Sequence, residues 1–487
     1  MRKILVPVFT LILSSACLAQ PKKKMPNILF ILVDDMQSTA IHANGCDQVY
    51  SPNIDGIYRQ GVSFTRTYTN GSLSGALSMP SRAMIMTGRK VFEVIKDGQL
   101  IPEQHVTLPE RLREAGYATF ATGKWHSDFQ SFARSFSCGE NIFFGGMHPY
   151  ASQGHVAPRL HHYDPEGKYT EKPFTGDKFS SEMFADAAVD FLKGRKKGQT
   201  PFFAYVAFTS PHDPRMEHPS YGYPYQADTL DLPVNFLPQH PFDTGDMGVR
   251  DEVLCPLPRT ETAIRKELAG YYGMISEVDF QIGRVLQALR ESGQAENTIL
   301  VFASDNGLAV GQHGLLGKQN LYDHSVRVPL VIVAPGLEKG TEREANCYLS
   351  DLYPTLCEMA GIEPAPSVTG KSLVPVLNGA RKHRDHLFLT YNSIQRGLVK
   401  DGWKYIIYNV HGTITEQLFD LKNDPWEMVN LAKEPAYATK VAAYKRILRE
   451  EMEKNHDFCR LDAHYWWGNG EMLPWKEALR LYTDPSK

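Results

Sequence analysis

Short apolar runs recur along the chain, and most are followed at once by a polar cluster. Asn27 to Val33 (NILFILV), Tyr117 to Ala121, Phe202 to Phe208, Ile299 to Ala303 and Leu330 to Val333 are rich in β-branched or aromatic residues and lack clean alternation. Near-continuous apolar runs of this length are expected of strands covered on both faces. Between them, Leu108 to Ala115, Phe179 to Lys193 and Ile264 to Glu291 carry the amphipathic spacing of helices. That rhythm predicts an α/β fold, a large and mostly parallel sheet sandwiched by helices. A Pro-containing and then basic stretch follows near 365–385. Beyond it, His386 to Thr390, Gly397 to Lys400 and Trp403 to Tyr408 predict short strands, and Tyr444 to Lys454 a helix. The expected division is a main α/β domain over 20–375 and a smaller α+β subdomain over 376–487.

The strand endings carry the chemistry. NILFILV runs into Asp34-Asp35, YATFA into Thr122-Gly123-Lys124-Trp125-His126, FFAYVAF into Thr209-Ser210-Pro211-His212-Asp213, and ILVFA into Ser304-Asp305-Asn306-Gly307. Polar residues commonly end strands, but sites in open parallel sheets form at the strands' carboxyl ends. If these strands are parallel neighbours, lysine, histidine and Asp/Asn groups converge on one edge. Three carboxylates and an amide suit a hard divalent cation such as calcium or magnesium. Without a cation, the carboxylates would repel and raise their own pKa values. The plainer alternative is that each acidic pair faces water separately. His148, His155, His161 and His162 lie in a loop-rich stretch. They would line a substrate rim or, as is commoner for loop histidines, stand in solvent.

Composition narrows the class. The 487 residues are 42% hydrophobic with a net charge of −3, enough for a large core and too little basic charge for a nucleic-acid surface. Met1-Arg2-Lys3, the apolar run Ile4 to Leu18 and the Cys17-Leu18-Ala19 end resemble a cleaved export signal over 1–19. A lipid anchor at Cys17 is the alternative, with Ser14 a poor fit to it. No later segment is apolar for long enough to span a membrane. Export permits disulfides, but the six remaining cysteines have no CxxC pair and their spacing assigns none.

The stretch SLSGALSMPSRAMIMTGRK, residues 72–90, joins these parts. Pro80 suits a helix start, which puts Ser78 just ahead of the first turn, where free N–H groups favour an anion. Arg82 in that turn could fork two oxygens of a tetrahedral anion. Thr87-Gly88 would end the helix. Ordinary capping by Ser78 or Ser81 is the alternative.

Ser78-Met79-Pro80-Ser81-Arg82, followed after four residues by Thr87-Gly88-Arg89, resembles the signature of the formylglycine-dependent sulfatases (type I, alkaline phosphatase superfamily), in its serine-type bacterial form. VDDM (33–36), SPNID (51–55), GKWH (123–126), SPH (210–212), SDNG (304–307), GK (317–318) with RVPL (327–330), and LFDLKNDPWEMVNLA (418–432) follow in that family's order. The resemblance implies an alkaline-phosphatase-like fold. It implies a Ser78 oxidised to formylglycine by a radical serine-type maturing enzyme, and calcium held by Asp34, Asp35, Asp305, Asn306 and the modified Ser78. Arg82 would position the aldehyde hydrate, and Lys124 and Lys318 would neutralise sulfate oxygens. His126 would take a proton from the hydrate's second hydroxyl, and His212 would serve the leaving oxygen. The implied activity is removal of sulfate from a sulfated glycan by a periplasmic or secreted enzyme. Phosphodiester or phosphonate monoester hydrolysis is the alternative chemistry. A silent sulfated-glycan-binding protein is the alternative if Ser78 is never matured.

Overall fold

The computed structural model describes residues 25–149, 151, 153–216, 218 and 225–461; the expected export signal, Cys17 and Lys22-Lys23-Lys24 lie outside the described residues. The main sheet has eight strands. In chain order they are β1 (Asn27–Val33), β2 (Val62–Phe64), β3 (Ala118–Lys124), β4 (Cys138–Phe143), β5 (Phe202–Ala207), β6 (Thr298–Ser304), β7 (Leu330–Val333) and β8 (Thr341–Arg343). Their spatial order is β8-β2-β7-β6-β1-β5-β3-β4. From β6 to β4 all neighbours are parallel. β7 runs antiparallel to both its neighbours. Its direction follows from the connection before it: a parallel return needs a crossover, and the chain between β6 and β7 forms only one helical turn, Asp323–Val326.

Helices cover both faces. α1 (Pro52–Gln60), α2 (Ser78–Thr87), α3 (Leu108–Glu114), α4 (Phe129–Ser135), α5 (Ser180–Gly194) and α6 (Glu261–Glu291) supply most of the cover. Ile28, Phe30 and Leu32 of β1 join one core with Met84 and Ile85 of α2 and Leu108 and Leu112 of α3. Leu29, Ile31 and Val33 join the other core with Ile54 and Ile57 of α1, Phe184 of α5 and Ile275 and Ile282 of α6. Both sets of alternate side chains are fully buried, which is why β1 shows no polar alternation. α6 starts three residues ahead of the apolar pattern, where the Thr260 side chain caps it by accepting from the Ala263 N–H.

A second, five-stranded sheet is built from β9 (His386–Tyr391), β10 (Gln395–Lys400), β11 (Trp403–Val410) and β12 (Thr413–Asp420), an antiparallel meander. Its fifth strand is Gly71–Ser72, parallel to β9. The late sheet therefore anchors the segment just ahead of α2. β12 was not expected, because its first half is largely exposed and breaks the apolar run. The last helix covers Ala438–Lys454, six residues longer than its pattern suggested. Cys46, Cys138, Cys255, Cys347, Cys357 and Cys459 are free thiols. Among the described residues no helix is long and apolar enough to cross a membrane.

Candidate active site

Register brings the acidic pairs together. β1 and β6 are adjacent and parallel, with Val33 opposite Ser304. Asp34-Asp35 and Asp305-Asn306 therefore leave the sheet side by side at its carboxyl edge. The Asp305 N–H donates to the Val33 carbonyl at 3.1 Å, and the Asp35 N–H to Asp305 Oδ1 at 3.2 Å. Asp35 sits at φ +66°, a left-handed conformation that a non-glycine residue holds only when its surroundings enforce it. Asp34, Asp35, Asp305 and Asn306 are all at most 2% exposed, so they do not face water separately.

α2 delivers Ser78 to this edge. Its Oγ lies 3.2 Å from Asp34 Oδ1, 3.1 Å from Lys318 Nζ and 3.5 Å from Asn306 Nδ2. The helix begins at Ser78 itself, so Ser78 is not ahead of the first turn and Pro80 is the third residue. Proline is tolerated there because first-turn N–H groups lack intrahelical partners. The capping alternative is absent: no side chain caps α2, and Ser81 Oγ donates instead to the Asp305 carbonyl at 2.7 Å. Gly88, at φ +63°, ends the helix in the left-handed turn expected of Thr87-Gly88.

Cations interleave with the carboxylates. Lys124, the last residue of β3, places Nζ 2.6 Å from Asp34 Oδ2 and donates to the Gly146 carbonyl at 2.5 Å. Gly123 makes this possible: at φ +90° a Cβ there would lie 1.9 Å from the Ala207 oxygen, and the β3–β4 register shifts at the same point. Lys318 Nζ contacts Asp35 Oδ1 and Oδ2 at 2.7 and 2.6 Å. Arg82 donates from Nε to Asp305 Oδ2 at 2.8 Å and from Nη1 to the Lys124 carbonyl at 2.9 Å. Its remaining nitrogen lies 3.7 Å from Asp34 and has no hydrogen-bond partner. His126, at φ +66°, packs against Gly146, and its buried Nδ1 has no partner. His212 Nε2 lies 3.5 Å from Asp35 Oδ2.

The charges act unequally. Burial and the Asp34 charge raise the Asp305 carboxyl to about 6, as repulsion predicts. Asp34 departs from that expectation: burial would raise its pKa, but Lys124 and Arg82, with His212 and Lys318, hold it well below the usual carboxylate range. Burial lowers Lys124 despite Asp34. Lys318 is raised, with Asp35 and Asp251 outweighing burial. Burial, Lys124 and Arg82 push His126 far down, so its imidazole is neutral. His212 goes the other way: burial and Lys318 lower it, yet Asp35 and Asp213 win and raise it. Two histidines in one site are thus biased to opposite protonation states, the arrangement that separates a base from an acid.

The donor set fits a hard cation. Asp34, Asp35 and His212 each offer one ligand atom within 4.8 Å of the others. Asn306 Oδ1 is buried without a partner beside them. The oxygens of Asp34, Asp35 and Asn306 suit calcium or magnesium better than a soft metal, whereas the His212 nitrogen is a poor ligand for either.

A family model described as Sulfatase matches residues 26–362, more than half of the chain. The chain belongs to the sulfatase family. A second model, the C-terminal region of N-sulphoglucosamine sulphohydrolase, matches 311–455. An N-acetylglucosamine-6-O-sulfatase of Bacteroides thetaiotaomicron is 26% identical, covering 93% of this chain and 91% of its own. A solved structure in complex with its substrate D-glucosamine-2-N,6-O-disulfate superposes with a TM-score of 0.72 at 24% identity, over 89% of this chain and 99% of its own. The phosphonate monoester hydrolase of Agrobacterium radiobacter shares the fold at a TM-score of 0.70 and 24% identity, over 88% and 96% of the two chains. The protein is a type I sulfatase of mixed α/β fold.

Not every sulfatase motif serves this cluster. In SPNID, Asp279 of α6 accepts from the Asn53 and Ile54 N–H groups at 3.2 and 2.7 Å and from Asn53 Nδ2 at 2.8 Å, tying α1 down. In the late segment, Glu427 pairs with Lys404 at 2.7 Å and accepts from the Asp323 N–H at 2.7 Å. The loop histidines divide. His148 and His155 are buried, not solvated: His155 Nδ1 lies 2.8 Å from Ser180 Oγ and its Nε2 3.1 Å from the His212 carbonyl, while His148 meets Thr209 Oγ1 at 3.2 Å. His161 is half-buried and His162 exposed along the chain's outer loops. Residue-by-residue reading of the motifs missed the sulfatase's Asp213, Arg250, Asp251 and Gln319, which adjoin His212 and Lys318. Only Asp213 had a visible signal, since it directly follows Ser210-Pro211-His212 at a strand end.

Proposed function

We propose that this sulfatase removes sulfate from a sulfated carbohydrate, with Ser78 oxidised to formylglycine and calcium held by Asp34, Asp35, Asp305 and Asn306. The observation that carries this reading is that Asp34 and Asn306 meet the Ser78 hydroxyl, Lys318 joins that hydroxyl to Asp35, and Lys124 lies against Asp34, with Asp305 beside them on the Asp35 N–H. The sugar-sulfate relatives support the carbohydrate class. The signal-like first 19 residues support export to the periplasm or beyond, and the serine at position 78 supports a radical maturing enzyme as partner.

When present, the hydrated aldehyde would supply an attacking oxygen, and the cation would draw negative charge from the SO₃ group. The chain's own residues do the rest. Lys124 and Lys318 offset the ester's negative charge where the transition state gathers it. Arg82 holds Asp305 and the Lys124 carbonyl in place, which orients the end of β3 against α2. His126, kept neutral, takes up a proton. His212, biased towards its charged form, gives one from Nε2 to the departing ester oxygen.

The test is sulfate release by protein co-produced with a radical maturing enzyme, on a panel of defined sulfated mono- and disaccharides. Release is expected from at least one sugar sulfate and is lost in chelator and restored by calcium. The peptide spanning residue 78 should be lighter by about two hydrogens, as alcohol-to-aldehyde oxidation requires. Unchanged release in chelator overturns the cation assignment. The shared fold of the phosphonate monoester hydrolase supports a second reading, and faster turnover of an aryl phosphodiester than of an aryl sulfate would favour it. An unmodified residue 78 in protein from its native host would favour a silent glycan binder.

A further inference from the structure

His212 is held from behind. Its Nδ1 lies 2.8 Å from the backbone oxygen of Asp213 and 3.1 Å from Asp213 Oδ1. Asp213 is clamped in turn: Arg250 reaches both of its carboxylate oxygens, one at 3.0 Å, and also contacts Asp251. Asp251 Oδ2 accepts from Gln319 Nε2 at 2.8 Å, next door to Lys318. The Asp213 side chain is 7% exposed and that of Arg250 43%, so the chain of contacts runs from the open rim to the buried imidazole. A carboxylate behind a histidine fixes which ring nitrogen carries the proton and which faces the reaction. Here the nitrogen left facing the centre is Nε2, 3.5 Å from Asp35 Oδ2.

We propose that Asp213, clamped by Arg250, is a positioning residue for protonation of the leaving group: it keeps the Nδ1–H of His212 turned away from the centre so that Nε2–H is aimed at the ester oxygen. This rests on the sulfate-ester reading above. As the new bond forms from the oxygen on residue 78 to sulfur, the S–O bond to the sugar breaks. Its electron pair stays on the sugar oxygen, which takes the Nε2 proton. His212 is left neutral with its Nδ1–H still donated to Asp213, and a proton from solvent reloads Nε2.

A sugar alkoxide needs that proton, whereas a nitrophenolate departs without it, so the leaving group separates positioning from general damage. In matured protein, D213A should lose about 10-fold to 100-fold in kcat on a sugar sulfate, with KM little moved, as loss of such a support does elsewhere. Its loss on 4-nitrophenyl sulfate should be about tenfold smaller. D213N, which keeps an oxygen for Nδ1–H, and R250M should show the same split to a lesser degree, and H212Q the same direction. A second readout needs no maturation: ¹⁵N shifts of the His212 ring in full-length protein, followed to a pH above the ring's own titration, should show the proton on Nδ1 in wild type and a smaller Nδ1 fraction in D213A, where only the backbone carbonyl of residue 213 still accepts it. Equal losses on both esters, or an unchanged ring in D213A, overturn the proposal. Wild-type protein that releases sulfate from neither ester overturns the parent reading and the catalytic half of this one, whatever the ring reports.

Discussion

Two buried charge clusters of similar make-up sit in this protein, and they do different things. One gathers Asp34, Asp35, Asp305, Arg82, Lys124 and Lys318 around Ser78. The other gathers Asp323, Glu427, Lys404 and Arg327 around Tyr68. The second joins β11 and the late segment to the turn ahead of β7, and Lys404 reaches two carboxylates and the Leu321 carbonyl. It works as a rivet. The first differs in where it lies: at the carboxyl ends of parallel strands, around the serine that opens α2. Buried charge by itself therefore marks neither function nor stability. Positive φ and unpartnered polar atoms do not either, since Glu427 at φ +56°, Glu427 Oε1 and Arg327 Nε share them in the second cluster; position at the sheet's carboxyl edge distinguishes the site.

The comparison can be broken from either side. S78A should cut sulfate release by at least about a thousandfold, while calorimetry finds the fold within about 1 kcal/mol of wild type. K404M should do the reverse: denaturant unfolding should show a loss of about 3 kcal/mol, because Glu427 is left buried without a cation and Asp323 keeps only Arg327 and the Tyr68 hydroxyl, while turnover per folded molecule is kept. Parity of the two variants in either measurement would erase the distinction between site and rivet. D279A, outside both clusters, strips an acceptor from three donors at the start of α1 and should cost about 2 kcal/mol of stability with no change in turnover. The smallest effect concerns pH. Burial raises the Glu277 carboxyl to about 8. Its contribution is fully present below the unfolded value near 4.5 and is lost as pH rises towards and through 8. E277Q should flatten the fall of melting temperature with pH across that window, and an unchanged slope would show that Glu277 is not the group responsible.

Much of this was legible in the residues. The doubly covered strands showed as unbroken apolar runs, and β1 and β7 begin and end where those runs do. The four polar strand endings were visible because each directly follows its run, and the order β6-β1-β5-β3 makes those strands consecutive parallel neighbours. What escaped had weak local signals. β12 is half exposed, and Gly71–Ser72 is a two-residue strand whose partner lies about 320 positions later in the chain. His148 and His155 look like loop residues until α5 and the 209–212 segment close over them. Arg250 and Asp251 sit in an irregular stretch with no periodicity, so nothing in the sequence ties them to Asp213.

By itself the sequence determined the kinds of groups available: which strands would be buried, which side chains follow them, and that a serine stands at the head of a helix with an arginine one turn on. Those are local properties, set by hydrophobic pattern and by neighbours in the chain. Only the tertiary structure decided that Val33 lies opposite Ser304, that Lys318 comes back onto Asp35, and that Arg250 clamps the residue behind His212. Register and long-range charge pairing depend on how distant segments pack, and the energy of a charge depends on what that packing puts beside it.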